Sequence, residues 1–418
     1  MARRVITNMD RAKAFYNDKS SHYIPHKIIL FAIGQWPYQS TVSSLFMLSL
    51  TIILGPIVFV PQVIGLYEVR DKISDILECL PPIIFDLLTM VKLSNLIINR
   101  NKMKKLLTDL ADDWRNAGSM EELRIINRYA KFGKTFAFLY IIYIYLSSAA
   151  FSLLPRFSAS TLKRIPGTNK TIGIDMSPFI ADYKLDVEKY YHLILCHSCT
   201  SIFVQSTIIL GPQLLFVACI QHVCGMFDAL CHELSEIMKN GDLDINLNPK
   251  LRDDEVYKKL SEIIKKHNHI IRYSKLIEAS FTISLLFQIT LNMLILSVTA
   301  VQVLVYANVP HELFRSGSFS AAQILHLFLE CWQAQQLIDS ANRVGHVAYT
   351  THWYRVSLRS RKLLISIMMR ANSPCQITAG KILTLSFPSF SKVRKINTIL
   401  VKLSKGQYFN NDVILICQ

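Results

Sequence analysis

Residues 41–62 read TVSSLFMLSLTIILGPIVFVPQ, from Thr41 to Gln62, without one Asp, Glu, Lys or Arg. As a helix, such a stretch is about 33 Å long at 1.5 Å per residue, enough to cross the roughly 30 Å hydrocarbon core of a bilayer. In hydrocarbon each unpaired backbone amide is costly, and a helix pairs them internally. The stretch is a candidate membrane span, and the same ruler finds six more: 76–98, 135–154, 190–220, 279–304, 318–338 and 377–403. The expected fold is all-α, a polytopic membrane protein with seven transmembrane helices.

Composition agrees. Of 418 residues, 51% are hydrophobic and 18% charged, and the mean hydropathy is +0.29, too apolar for an ordinary soluble enzyme of this length. The net charge of +16 does not point to nucleic acid, because the basic residues sit between apolar runs and form no arginine-rich face. They follow membrane topology instead. The N-terminal segment and the second, fourth and sixth connections hold about 30 Lys and Arg, against about nine in the first, third and fifth. The N-terminus is thus expected to be cytoplasmic and, after seven spans, the C-terminus extracellular. The sequon Asn169-Lys170-Thr171 falls in the third connection, on the side where Asn169 would be glycosylated.

Nine cysteines are scattered, several inside apolar segments, and form no disulfide framework. The chain opens Met1-Ala2-Arg3-Arg4 with no apolar leader, so the first span is expected to serve as its own insertion signal. Val256, Leu260, Ile263, Ile264, His267, Ile270 and Ile271 keep a 3.6-residue rhythm ahead of span five, predicting that spans four and five continue as long helices into an assembly region. Gly211-Pro212 predicts a kink in span four. The expected organisation is an N-terminal segment over 1–40, a seven-helix domain with helical extensions over 41–403 and an atypical tail over 404–418.

Two stretches carry a family pattern. Gly34-Gln35-Trp36-Pro37 precedes the first span, with the tryptophan expected at the membrane interface. Towards the C-terminus come Ser340, Val344, Ala348, Tyr349, Trp353, Tyr354 and Lys362, then Pro374, Thr378, Ala379, Gly380 and Lys381. Together with His267, Ile270, Glu278, Phe281 and Gln288, these resemble the motifs of insect odorant receptors over residues from about Gly34 to about Val393. The resemblance implies the ligand-binding subunit of a heterotetrameric, odorant-gated, non-selective cation channel. Its partners would be the odorant receptor co-receptor, a small volatile apolar ligand and membrane lipid, with no nucleic acid and no cofactor. It would reside in the plasma membrane of olfactory sensory dendrites. In that family the ligand cavity lies in the outer leaflet among spans two to six, which nominates Ile84, Ser148, Phe151, Tyr191, Leu195 and Met293.

Two other classes of polytopic protein fit the sequence less well. A G-protein-coupled receptor places its N-terminus outside, against the charge asymmetry, and the D-R-Y and N-P-x-x-Y motifs are missing from the sequence. A transporter calls for paired halves with broken helices, and no repeat is evident. Enzyme chemistry has no Ser-His-Asp constellation, phosphate loop or useful carboxylate pair to rest on.

His192, Cys196 and Cys199 share one helical face, a geometry open to a soft metal. Lacking paired CxxC motifs, they are read as packing residues, with no metal. Asp86 lies mid-span, where a carboxylate costs about 2.5 to 3.5 kcal/mol on insertion scales. It must face the bundle, as an anchor in the ligand cavity or as a helix–helix contact. Lys381 is expected to snorkel from the start of the last span. Pro388 is expected in the middle of that span, at a cost of about 3 kcal/mol. No Asp or Glu lies between Asp339 and Asp412, so a carboxylate ring for cations must come from partner subunits. Lys392-Val393-Arg394 can be encoded with a splice donor after the lysine codon, so residues from Val393 are expected to be translated intron.

Overall fold

A computed structural model describes residues 8–17, 22–157, 179–239, 249–306, 310–373 and 375–395. Asn169, Pro374 and the tail from residue 396 lie outside them. The helices in chain order are α1 (Asn8–Asn17), α2 (Ile24–Ala32), α3 (Thr41–Leu54), α4 (Phe59–Glu68), α5 (Ile73–Ile98), α6 (Arg100–Arg115), α7 (Met120–Phe157), α8 (Val187–Lys239), α9 (Glu255–Val305), α10 (Pro310–Thr350) and α11 (Leu358–Ala371). A two-residue hairpin, β1 (Thr378–Ala379) with β2 (Leu383–Thr384), follows, and residues 387–395 are helical as α12.

The axis of the bundle is α8, which packs against α7, α9 and α10. Its most apolar 18-residue window is 83% buried, against 22% for the windows in Thr41–Glu68 and Met120–Leu153. The outer helices instead turn Val42, Leu45, Phe46, Ile53, Phe138, Leu139 and Leu146 outward, as helices solvated by lipid do. Among the described residues, four stretches, Thr41–Glu68, Met120–Leu153, Lys189–Lys239 and Glu255–Val305, are long and apolar enough to cross a membrane by themselves. Charges interrupt α5 and α10, and those charges meet inside the bundle.

The long extensions foreseen for spans four and five are present, since α8 runs on to Lys239 and α9 begins at Glu255. Several expectations need correction. The break in helical dihedrals within α8 falls at Tyr190 (φ −108°, ψ 15°) and not at Pro212. The last span does not start at 377, because Ile377 to Thr384 form the hairpin. Lys381 sits in its turn with φ +60°, exposed, and is no snorkelling helix residue. Pro388 consequently falls in the first turn of α12, where a proline's missing N–H removes no intrahelical bond.

The hairpin is fastened to α9. Gly380 N–H donates to the Thr282 carbonyl at 2.8 Å and Thr378 Oγ1 donates to Glu278 at 2.5 Å. Gly380 has φ +61°, so its backbone favours glycine, and a Cβ there would also press on the end of the Leu286 side chain at 2.6 Å. At the other end, Gly34 has φ +70°, and a Cβ would come within 2.4 Å of the Ser44 carbonyl. That turn accepts the Ser44 hydroxyl at 2.6 Å on its own carbonyl and sends Trp36 inward. Trp36 is buried, edge-on to Tyr16 and Tyr38 at 5.4 and 5.5 Å, so it is a packing residue of an aromatic cluster and not an interfacial ring.

Candidate functional site

At the end of the bundle where residues 179–186 cross it, side chains from four helices meet. Val58, Phe179 and Ile202 form a buried apolar cluster with Phe151, Ala181 and Tyr183 against it. The crossing segment is pinned by Asp182 N–H donating to the Pro61 carbonyl at 2.8 Å. Phe319 of α10 contacts Phe151 of α7 and Phe85 of α5, each with ring centroids 6.0 Å apart. Aromatic pairs at this distance gain about 0.5–1.5 kcal/mol beyond the area they bury.

Polar atoms are threaded through this apolar layer. Gln205 Nε2 of α8 donates to Asp86 Oδ1 of α5 at 2.5 Å, with both residues buried. Ser148 and Ser206 hydroxyls lie 2.6 Å apart, and Tyr183 pairs with His197 Nδ1 at 2.7 Å. Asp86 therefore does face the bundle, as a helix–helix contact through one carboxylate oxygen. The other, Oδ2, has no hydrogen-bond partner among the described residues.

About 10 Å further along the helices lies a second polar layer. Lys92 Nζ of α5 is 3.6 Å from Glu330 Oε1 of α10, 3.3 Å from His326 Nε2 and 3.4 Å from Gln213 Oε1 of α8. Tyr140 of α7 reaches His326 Nδ1 at 2.5 Å, and Gln288 of α9 donates to Glu330. Five helices thus share one buried network. Charges taken out of water are tolerated when paired and hydrogen-bonded, as here.

A third polar layer lies beyond the apolar stretches. Asp113 of α6 accepts from His222 of α8 at 3.0 Å and from His269 of α9 at 2.8 Å. Beside it, Lys266 bridges Glu233 at 2.7 Å and Glu122 at 3.3 Å, and Asp113, His269, Lys266 and both glutamates line a cleft of about 260 Å³. Burial pushes the Asp113 carboxyl upward, but the two histidine hydrogen bonds outweigh it and hold the group below its usual range. The same bond to Asp113 holds His269 above its usual value.

Of the nominated ligand residues, Ser148 and Phe151 are brought into the first layer. Ile84 is half-buried beside Phe85 on α5, and Leu195 half-buried a turn ahead of Ser198 on α8. Tyr191 is half-buried next to the break at Tyr190 and edge-on to His192 at 5.3 Å. Met293 packs against the main core. His192 and Cys196 are exposed and Cys199 half-buried, which corrects their reading as core packing. Gln205, Phe319 and Phe179 escaped sequence reasoning, as did the Lys92 network. His326 and Glu330, ionisable at i and i+4 in an apolar run, were the legible sign of that network.

Among the family-pattern residues, Ser340 is half-buried, Val344 and Ala348 fully buried, and Tyr349, Trp353 and Tyr354 at least one-third exposed.

Comparison with known proteins places this geometry. The insect olfactory receptor OR5 of Machilis hrabei, in complex with eugenol, superposes with a TM-score of 0.75 at 17% identity, over 91% of this chain and 96% of that one. A second structure of the same receptor superposes with a TM-score of 0.70 at 16% identity, over 90% of this chain and 96% of that one. In sequence, putative odorant receptor 92a of Drosophila melanogaster is 22% identical over 79% of this chain and 78% of its own length. Odorant receptor 67a of the same fly is 29% identical over 38% of each chain, less than two thirds of that relative's length. The 7tm odorant receptor family matches residues 72–397, and the chain belongs to that family.

Proposed function

We propose that this chain is the odorant-binding, tuning subunit of a cation channel, assembled with the odorant receptor co-receptor in the plasma membrane of olfactory sensory dendrites. The observation that carries the reading is the first layer, where Phe85, Phe151 and Phe319 converge with Asp86, Ser148 and Gln205 from four helices. Such a site suits a small apolar volatile: burial of its surface supplies most of the binding at about 25 cal/mol per Å², and few polar groups orient it. Family membership and the eugenol complex of the Machilis receptor support it.

The excess of Lys and Arg beside alternate spans puts the N-terminus in the cytoplasm, the first layer in the outer leaflet and the Asp113 layer inside. In mechanism, odorant binds the open arrangement more tightly than the closed one and so shifts the population towards it. The mechanical link is α10, which carries Phe319 in the ligand layer, His326 and Glu330 in the polar network, and Phe328 against Phe387 and Phe390 of α12. A displacement of Phe319 is thereby passed to the last helix along one rigid rod.

The test is co-expression with the co-receptor in cells dialysed with a non-hydrolysable GDP analogue. Odorant-evoked cation current that persists supports the channel. Current abolished by blocking G-protein turnover overturns it.

A further inference from the structure

On three neighbouring elements the exposed surface changes from apolar to basic. Along α9 the exposed positions Arg272, Lys275, Ala279, Ile283 and Phe287 follow one another on successive turns of one face. At the junction of α5 and α6, exposed Ile97 and Ile98 give way to Arg100 and exposed Lys102, and in the hairpin turn exposed Ile382 stands beside exposed Lys381. Two contacts on α9 bring these elements to one level. Lys102 Nζ donates to the Ala279 carbonyl at 3.0 Å, and one turn on, Gly380 N–H donates to the Thr282 carbonyl at 2.8 Å. Lys102, Lys275 and Lys381 form no ion pair among the described residues, and Lys102 uses one of its three N–H groups on a neutral carbonyl. Between Arg272 and Phe287 the one acid is Glu278, and it already accepts from Thr378 Oγ1.

Resting on the orientation given above, which puts this end of the bundle in the cytoplasm, we infer that the junction of α6, α9 and the hairpin holds an anionic phospholipid of the inner leaflet. Its phosphates lie among Lys102, Lys275 and Lys381, and its acyl chains run along Ile283, Phe287 and Ile382. The three cations fall within about 10 Å along the axis of α9. A Lys or Arg beside an anionic membrane surface strengthens association about five-fold per residue. The apolar step decides the source: a soluble phosphate would engage the cations alone, whereas a lipid uses both sides of the step. A headgroup held there ties α6 and α9 to the hairpin that leads into α12, so the charge of the inner leaflet bears on the last helix.

The experiment titrates the purified full chain, in neutral detergent micelles, with a fluorescent short-chain phosphatidylinositol bisphosphate. Combining Lys102→Gln, Lys275→Gln and Lys381→Asn, the asparagine chosen because it tolerates the φ of +60°, should weaken binding by about 100-fold. Combining Lys259→Gln, Lys265→Gln and Lys362→Gln removes the same charge from exposed positions elsewhere and should change binding by less than about 3-fold. Against the unaltered chain, free inositol trisphosphate should compete at least about 10-fold more weakly than the lipid, because it lacks the chains that cover the apolar side. Phosphatidylcholine of equal chain length should not compete. Melting of each variant in micelles monitors folding, and should the first triple variant not fold, the competition on the unaltered chain decides alone.

Equal weakening by the two triple variants, the signature of diffuse charge, overturns the inference. So does a free headgroup that competes as well as the lipid, or phosphatidylcholine that competes alike. The orientation beneath it is tested separately, by a membrane-impermeant maleimide on Lys381→Cys. Labelling of intact cells above the level of the unaltered chain removes the orientation and the inner-leaflet assignment together. Labelling only after permeabilisation upholds the orientation, so that a failed titration then overturns the inference alone and leaves the odorant-channel reading standing.

Discussion

Lys92 on α5 and Glu330 on α10 lie 3.6 Å apart with side chains 3% and 1% exposed, so two of the five central helices are joined by an ion pair that water does not reach. Breaking a buried pair by removing one partner costs about 3–5 kcal/mol because the survivor keeps its charge, whereas replacing both by apolar residues is often neutral. Lys92→Met and Glu330→Met should each sharply reduce surface expression, and the double variant should recover most of it. Surface labelling of the three variants checks this. A double variant as poor as the worse single one would show that Gln213, Gln288 and His326, the remaining polar partners, dominate the network.

The Asp113 layer gives a pH dependence with a definite sign. His269 is raised, so its contribution is complete below its unfolded value of about 6.5 and is lost as pH rises through the raised folded value. Asp113 is lowered, so its contribution is complete above about 3.9 and is lost as pH falls through the lowered folded value. Both are present together from about pH 4 to 6.5. Because the His269 side chain is 39% exposed, screening limits its share to less than about 1 kcal/mol. The detergent-solubilised protein should therefore lose up to about one degree of Tm between pH 6 and pH 8, and His269→Gln should flatten that slope. Melting curves across the range test it, and an equal slope in the variant would place the titrating group elsewhere.

Gly34 is expected to resist any substitution. Its φ of +70° and the 2.4 Å that would separate a Cβ there from the Ser44 carbonyl leave no relaxation that spares the backbone. Gly34→Ala should lower stability by about 1–3 kcal/mol, read as reduced thermal stability and surface level. Gly317, around which a Cβ would meet nothing within 4 Å, serves as the control, and Gly317→Ala should be neutral or slightly stabilising. Equal effects at the two positions would contradict the strain argument.

Helix existence was legible because lipid solvation writes itself into local composition: 41–62 reads as a span from its own residues. What escaped depends on partners far along the chain. Trp36 looked interfacial because its aromatic partner Tyr16 lies twenty residues earlier in a helix of its own. The hairpin at Thr378 was taken for helix because Ile377, Ile382, Leu383 and Leu385 are apolar, and only docking on Glu278 and Thr282 of α9 makes that run extended. Pro388 was the local warning, since a proline marks a helix start more readily than its middle. Within the site, Asp86 is legible as a residue out of place in a span, whereas Ser148 and Phe151 are reached only through the resemblance to the family. Gln205 and Phe319 are ordinary in sequence and gain meaning only from the helices opposite.

The central claim, that odorant is held where α5, α7, α8 and α10 converge, is tested most directly by the odorant dose–response of Phe151→Ala and Phe319→Ala co-expressed with the co-receptor. Each truncation removes a ring from the wall and should raise the half-maximal concentration of an activating odorant by about 10-fold or more at unchanged surface level. Half-maximal concentrations equal to those of the unaltered chain in both variants would contradict the placement of the site.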